Sequence, residues 1–249
     1  MKVLSVIGIT KAGKTTVVEA IISGLRKRNY TVGSVKEIHF EKFAIDTPGT
    51  NTDRHKKAGA DIVTARGYKE TDILFPRMLG LDEILRFYDH DYVVLEGVAD
   101  TCAPKIVCAH NTEEVDERLD GTVFAISGRL AASLQEYRGL PVINALTEPE
   151  KLVDLVVEKV FERLPDFPAE CCSACGCSCS ELAAKILRQE AFREDCVLSG
   201  SRIVLQVDGR EIPMVPFVQN ILFNAVTGVV KELEGYRQNG EITIRIKGK

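Results

Sequence analysis

The chain carries the residues of a phosphate-binding loop close to its start. The run Gly8-Ile9-Thr10-Lys11-Ala12-Gly13-Lys14-Thr15 matches G-x-x-x-x-G-K-[ST] at every fixed position, between an apolar stretch and a helical pattern. Small residues allow the backbone N–H groups of residues 11–15 to surround an anion, and the helix start adds its positive end. We expect Lys14 to reach the β- and γ-phosphates of a nucleotide, and the Thr15 hydroxyl to bind Mg²⁺.

Two carboxylates are candidates for supporting the metal ion. Glu96 ends the apolar stretch DYVVLEG, where a strand beside the loop strand presents an acid to Mg²⁺; a surface or capping carboxylate is the alternative. Asp46 precedes Thr47-Pro48-Gly49 and either follows the γ-phosphate as a switch residue or is an ordinary turn aspartate. Lys14 and Glu96 are the predicted catalytic residues. The predicted nucleotide-binding residues are Gly8, Lys11, Ala12, Gly13, Lys14, Thr15, Thr16 and Asp46.

A second kind of chemistry is indicated by five cysteines within nine residues, in CCSACGCSC. Cys172, Cys175 and Cys179 come from this stretch, and Cys196 follows at the far end of a predicted helix. Four such thiols suit a metal centre, because the charge of the metal favours their deprotonation. The pattern resembles the four-cysteine [4Fe–4S] domain of electron-transfer subunits, although the third cysteine comes one residue earlier than usual. We predict a [4Fe–4S] cluster, with Zn²⁺ as the alternative and the other two cysteines of the stretch as substitute ligands.

The elements around the loop predict an α/β fold. Helical patterns begin at Thr15 and cover 79–89 and 149–163. Alternation of strands and helices favours a P-loop NTPase with a mostly parallel, helix-covered sheet. Short apolar runs typical of strands occupy residues 3–8, 30–36, 61–67, 92–97, 105–109, 122–127 and 140–145.

The pattern changes at residues 164–170, where two prolines mark a linker. An amphipathic helix capped by Ser180 is predicted after the cysteines. Two strands around Asp208-Gly209, a helix over 216–235 and a strand over 241–246 then form a ββαβ unit without an assigned chemistry. The predicted domains are the nucleotide-binding domain 1–165, the cysteine-rich domain 166–200 and the C-terminal unit 201–249.

Composition excludes several classes of function. The net charge of −4 over 249 residues lacks the basic footprint of a nucleic-acid-binding protein. No segment approaches the roughly 20 apolar residues of a membrane helix, so we expect no membrane association. Eight cysteines without a secretory signal indicate a reducing compartment, and we predict a cytoplasmic protein.

Residues 1 to about 165 resemble the family of MobB, the molybdopterin-guanine dinucleotide biosynthesis adaptor protein. Besides the loop, the resemblance is carried by Lys36-Glu37-Ile38-His39, Asp46-Thr47-Pro48-Gly49, Lys57-Ala58-Gly59-Ala60, Leu95-Glu96-Gly97 and Pro104-Lys105-Ile106. It implies GTP and Mg²⁺ binding, weak GTPase activity and a homodimer. It also implies two kinds of partner: a MobA-type nucleotidyltransferase and molybdopterin-bearing proteins.

Two functions from different classes follow. The first is a GTP-binding accessory protein of molybdenum or tungsten pterin dinucleotide assembly that carries a [4Fe–4S] cluster. The alternative is an iron–sulfur redox or metal-carrying protein, of the metallochaperone GTPase type, whose docking is switched by the nucleotide. The spacing alone does not separate GTP from ATP, since the chain has no Asn-Lys-x-Asp.

Overall fold

The computed structural model describes residues 1–40, 43–167, 172, 175–198, 203–207, 210–212, 214, 216–236, 242–244 and 246. It divides into two units, Met1–Arg163 and Leu164–Lys249. The strands of the first unit are β1 (Lys2–Gly8), β2 (Val32–Lys36), β3 (Val63–Arg66), β4 (Thr71–Leu74), β5 (Tyr92–Glu96), β6 (Lys105–Cys108), β7 (Val123–Ser127), β8 (Glu136–Tyr137) and β9 (Leu140–Pro141). Its helices are α1 (Lys14–Lys27), α2 (Asn51–Lys57), α3 (Leu81–Leu85), α4 (Thr112–Asp116) and α5 (Pro149–Lys159).

Five strands form a parallel sheet in the order β2-β5-β1-β6-β7. The near-continuous apolar residues of β1, β5, β6 and β7 are mostly buried, as expected for strands covered on both faces, whereas β2, at one edge of the sheet, has no fully buried residue. Because all five run in the same direction, their carboxyl ends meet at one edge. The pairing of Val6 with Glu96 places the acid of β5 on one side of the loop strand, and the pairing of Gly8 with Cys108 places β6 on the other. The predicted mostly parallel sheet with flanking helices is confirmed.

Helix α1, which begins directly after the loop, packs on α5 through a close backbone approach. A Cβ at Gly24 would lie 2.4 Å from a methyl group of Val153, so the glycine permits this approach. The buried face of α1 includes Val17, Ile21 and Leu25, which holds the helix against the sheet. Arg26 and Lys27 lie in the last turn, where cations favour the helix dipole.

Two predicted strands take other positions. Residues 61–67 contain β3, but it pairs antiparallel with β4 in a separate two-stranded sheet, and β4 was not predicted. Residues 140–145 contain only the short β9, paired with β8. Beyond it, Val142 forms a parallel bridge to Ile126 and extends the line of the main sheet. The predicted helices 79–89 and 149–163 are shorter in the structure, as α3 and α5.

The second unit contains α6 (Cys179–Leu187), β10 (Gln206–Val207), β11 (Arg210–Glu211) and α7 (Pro216–Val230). The two strands pair antiparallel, as predicted, around Asp208-Gly209, which lie outside the described residues. The cap of α6 was predicted wrongly. Ser178 is the N-cap, because its hydroxyl accepts from the Glu181 N–H and the Glu181 carboxylate accepts from the Ser178 N–H.

The strand predicted at 241–246 is not formed by the residues described there, 242–244 and 246. Within the described part of the chain, no helix is both long and apolar enough to span a membrane.

Candidate functional site

The phosphate-binding loop joins β1 to α1 through conformations that favour glycine. Gly8 has a φ of 144°, Gly13 a φ of 102°, and Lys11 a φ of 63°. A Cβ at Gly8 would lie 2.0 Å from the carbonyl oxygen of Cys108 on β6, so only glycine fits there. Among the described residues, no side chain caps the N-terminus of α1. Its first N–H groups therefore have an anion or solvent as their partners.

A turn after β7 braces the middle of the loop. Gly128 has a φ of 84°, and a Cβ on it would lie 2.3 Å from the carbonyl oxygen of Ala12. The N–H of Arg129 donates to the same oxygen at 3.2 Å. The loop is thus held by residues far outside its own motif.

Lys14 lies over the loop. Its Nζ donates to the carbonyl oxygens of Gly8, at 2.8 Å, and Ile9, at 2.6 Å. The ammonium is therefore tethered by the loop backbone and faces the same cleft as the helix start. A cation held in this way suits the phosphates of a nucleotide.

Thr15 and Glu96 meet at the carboxyl edge of the sheet. The Thr15 hydroxyl donates to Oε1 of Glu96 at 2.9 Å, although the two residues are 81 positions apart. The Nζ of Lys36, at the end of β2, lies 2.6 Å from the same oxygen. Glu96 is 8% exposed, and a buried carboxylate requires such partners. The hydroxyl and the carboxylate are the kind of oxygen ligands that Mg²⁺ binds, so the residues present fit this ion.

A cleft of about 1170 Å³ opens over these groups. Its walls come from the loop, from residues 36–40, from Glu96 and Gly97, and from residues 127–129, 132 and 144–146. Lys11, Lys14, Lys36 and Arg129 lie in it against Glu37 and Glu96. Its size and its excess of cations suit a phosphate-bearing ligand.

Asp46 is bound within its own segment. The hydroxyls of Thr50 and Thr52 donate to its Oδ1 at 2.8 and 2.9 Å, and Lys56 pairs with Oδ2 at 2.8 Å. The Lys56 and Thr50 side chains lower the pKa of Asp46 to about 2. Asp46 is not among the described residues that line the cleft. Its predicted role beside the γ-phosphate stays a prediction.

A family model matches the part of the chain that contains the phosphate-binding loop. Residues 3–128 fit the model of the family described as "Molybdopterin guanine dinucleotide synthesis protein B", MobB. The chain belongs to the MobB family. Its amino-terminal unit contains the whole matched region.

Two relatives show how much of the chain is shared. A Methanocaldococcus jannaschii protein that carries the name of a molybdopterin-guanine dinucleotide biosynthesis adapter protein is 28% identical over 99% of this chain and 97% of its own length. A Bacillus subtilis protein of similar name is 28% identical over 64% of this chain and 92% of its own. The archaeal relative therefore also spans the region that contains the cysteines.

Two solved structures of Bacillus subtilis MobB match the fold. They have TM-scores of 0.53 and 0.51 at 25% identity, and each covers 66% of this chain and the whole of its own. The predicted P-loop NTPase fold is confirmed.

The cysteines of the predicted cluster lie in the second unit of this MobB-family chain. Cys172, Cys175 and Cys177 are half-buried, and Cys179 and Cys196 are buried. Burial raises the pKa of Cys196, and the nearby thiols of Cys175 and Cys179 raise it further. The described residues nevertheless contain no group of three or more His, Cys, Asp or Glu placed to hold a metal ion. Residue 171 lies outside them, and the [4Fe–4S] cluster stays a prediction.

Sequence reasoning assigned no role to three cleft residues, Lys36, Arg129 and Asn144. Each lies at or near the end of an apolar run that was predicted as a strand: Lys36 ends 30–36, Arg129 comes shortly after 122–127, and Asn144 is the last residue but one of 140–145. In a parallel sheet such positions meet at one edge, so the ends of these runs were the available signal. What the sequence did not state was which runs are neighbours.

Proposed function

We propose that this chain is a GTP-binding accessory protein in the biosynthesis of the molybdopterin-guanine dinucleotide cofactor. The observation that carries the proposal is the contact between Thr15 and Glu96. It joins the hydroxyl of the phosphate-binding loop to a carboxylate on the adjacent strand, the pair of groups that holds Mg²⁺ beside a nucleoside triphosphate. The names of the relatives support the assignment to this biosynthesis.

The residues of the cleft have separate roles in this proposal. The helix start and Lys14 neutralise phosphate charge, and Thr15 and Glu96 hold Mg²⁺. The bound ion would supply positive charge at the terminal phosphates. Lys36 and Mg²⁺ would compete for Oε1 of Glu96, because either cation on this oxygen balances the charge of the buried carboxylate.

We further propose that hydrolysis of GTP is slow. Among the described residues that line the cleft, none is a glutamine, and the only acids are Glu37 and Glu96. Glu96 is engaged by Thr15 and Lys36, which leaves it poorly placed to activate water.

The proposed partners are a MobA-type nucleotidyltransferase, molybdopterin-bearing proteins and a second copy of this chain. Large apolar side chains exposed around residues 40–78 support a protein-binding surface on the first unit. They include Phe40, Ile45, Tyr68, Ile73 and Met78. The [4Fe–4S] cluster, with Zn²⁺ as the alternative, and the cytoplasmic location stay predictions and carry no step of this proposal.

The test is calorimetric titration of the full chain with GTP and Mg²⁺. Wild type should bind one GTP per chain, and Lys14→Ala should lower the affinity by roughly 10- to 100-fold, since a charged hydrogen-bonding group is lost. The control is Lys27→Ala, which removes the same charge from the exposed end of the same helix and should bind as wild type does. The adapter role is tested by adding the chain to a MobA-type enzyme with GTP and molybdopterin. It should raise the yield of the dinucleotide, and Lys14→Ala should not. Absence of GTP binding by the folded wild type would refute the proposal.

A further inference from the structure

The cleft continues away from the phosphate-binding loop to Asn144. This residue follows the segment that extends the sheet beyond β7, where Val142 bridges Ile126 and the Ile143 N–H donates to the Ile126 carbonyl at 2.9 Å. Ser127 fixes the segment, since its buried hydroxyl donates to the carbonyl of Ile143 at 2.6 Å. Asn144 therefore lies at the same edge of the sheet as the loop.

The strand spacing gives the distance. From β1 the sheet passes β6 and β7 to this segment, and three spacings of about 4.8 Å amount to roughly 14 Å. That is the scale on which a ribose and its base extend from the β-phosphate. A nucleotide whose phosphates lie on the loop can therefore place its base at Asn144.

The amide of Asn144 has a defined orientation. Its Oδ1 accepts the backbone N–H of Leu146 at 3.0 Å. Because the partner is a donor, the bonded atom is the oxygen, and the NH₂ group is directed elsewhere. This NH₂ group has no partner within the described part of the chain, although the residue lines the cleft. Asn144 thus offers the cleft two donors.

The surroundings suit a flat, largely apolar group. Ala132, Ala145 and Leu146 line this end of the cleft, and Leu146 is 76% exposed. Arg129 adds a planar cation on the same wall. An aromatic ring is the ligand group that fits apolar walls beside a single amide.

We propose that Asn144 is the residue that selects guanine over adenine at this site, by donating from Nδ2 to O6 of the base. Guanine presents acceptors at O6 and N7, whereas adenine presents the N6 amino donor in place of O6. An asparagine that recognises adenine uses both the NH₂ group and the oxygen of its amide. In Asn144 the oxygen already accepts the N–H of Leu146. The inference rests on the proposed function, since it concerns the base of the same nucleotide.

The test compares GTP, ATP and ITP by calorimetry on the full chain. Asn144→Asp keeps an oxygen for the Leu146 N–H and replaces the donor by an acceptor. The variant should lower the ratio of GTP to ATP affinity at least roughly tenfold, the effect of losing one hydrogen bond and gaining a repulsive one. The ratio is the readout because the added negative charge weakens both nucleotides alike. ITP keeps O6 and lacks the 2-amino group, so wild type should bind it within about threefold of GTP.

The matched control is Asn111→Asp. Asn111 also accepts a backbone N–H, that of Glu114, but it is a helix cap and is not among the described residues that line the cleft. Its variant should leave the ratio unchanged. The inference is overturned if Asn144→Asp retains the wild-type ratio, or if wild type binds ITP as weakly as ATP. Those results leave GTP binding itself intact, whereas a wild type that binds no nucleotide refutes the proposed function as well.

Discussion

Gly128→Ala should weaken GTP binding although Gly128 lies 115 positions beyond Gly13, the last glycine of the loop motif. The added Cβ would lie 2.3 Å from the carbonyl oxygen of Ala12 and 3.1 Å from the N–H nitrogen of Ala109. Both neighbours are backbone atoms, so a rotamer change cannot relieve the contact. Either the loop or the end of β7 must shift.

The cost has two parts. A φ of 84° is left-handed, and an alanine there costs about 1–2 kcal/mol. Inserting a methyl group into packed surroundings adds about 1–3 kcal/mol. We therefore expect the free energy of unfolding to fall by about 2–5 kcal/mol. GTP affinity should fall by about tenfold or more, because groups that bind phosphate must keep their positions to within a fraction of an ångström.

Gly139→Ala separates the two parts. Gly139 has a φ of 76°, and apart from its chain neighbours no atom of the described residues lies within 4 Å of its Cβ position. This variant should lose only the conformational part, about 1–2 kcal/mol, and should bind GTP as wild type does. Urea denaturation gives the stabilities and calorimetry the affinities. The reasoning fails if Gly128→Ala matches Gly139→Ala in both measurements.

Three further predictions concern separate parts of the chain. Glu96→Gln should abolish the enhancement of GTP binding by Mg²⁺, while GTP without metal binds as well as to wild type or better. Glu37→Gln, at the other cleft acid, should keep the enhancement. Titrations with GTP in the presence and absence of Mg²⁺ test both expectations. Asp46→Asn should be less stable than wild type at pH 6, and the difference in stability should shrink as the pH falls from about 4 toward 2. The reason is that the pKa of Asp46 is lowered to about 2 in the folded chain, against about 4 in the unfolded chain. Urea denaturation measures the difference across this range, and a constant difference would contradict the ion pair with Lys56. Protein purified without oxygen should contain iron, sulfide and a visible absorption band that Cys196→Ala removes, whereas zinc or no metal would reject the [4Fe–4S] prediction.

The first strand, the loop and α1 could be predicted because their signals are local. The pattern from Gly8 to Thr15 fixes the loop, and the acid at the end of an apolar run indicated Glu96. The contact between Thr15 and Glu96 joins two such signals. A short sequence pattern was sufficient to predict a site residue wherever its own strand, loop or helix carried the signal.

Pairing and capping were harder to predict. An apolar run such as 61–67 is compatible with a parallel sheet or a hairpin, and its pairing with β4 depends on a partner of weak pattern. Ser178 and Ser180 are both acceptable caps, and the carboxylate of Glu181 decides for Ser178 because it lies three residues later. Arg129 and Asn144 reach the cleft only because β7 lies beside β6 and the following segment lies beside β7. No short stretch of sequence shows that these strands are adjacent in the sheet.

The same sheet separates the two ends of the proposed nucleotide site. Glu96 ends β5, on one side of β1, and Asn144 follows the segment beyond β7 on the other. Four spacings of about 4.8 Å place these two strand ends roughly 19 Å apart, beyond the range of about 7–10 Å within which substitutions usually couple. The double variant Glu96→Gln/Asn144→Asp should therefore lose the Mg²⁺ enhancement and the GTP preference independently, with effects on GTP binding that add to within about 0.5 kcal/mol. Calorimetric titration of the four proteins tests this, and a coupling above about 1 kcal/mol would mean that the metal and the base are not read at separate ends of one sheet edge.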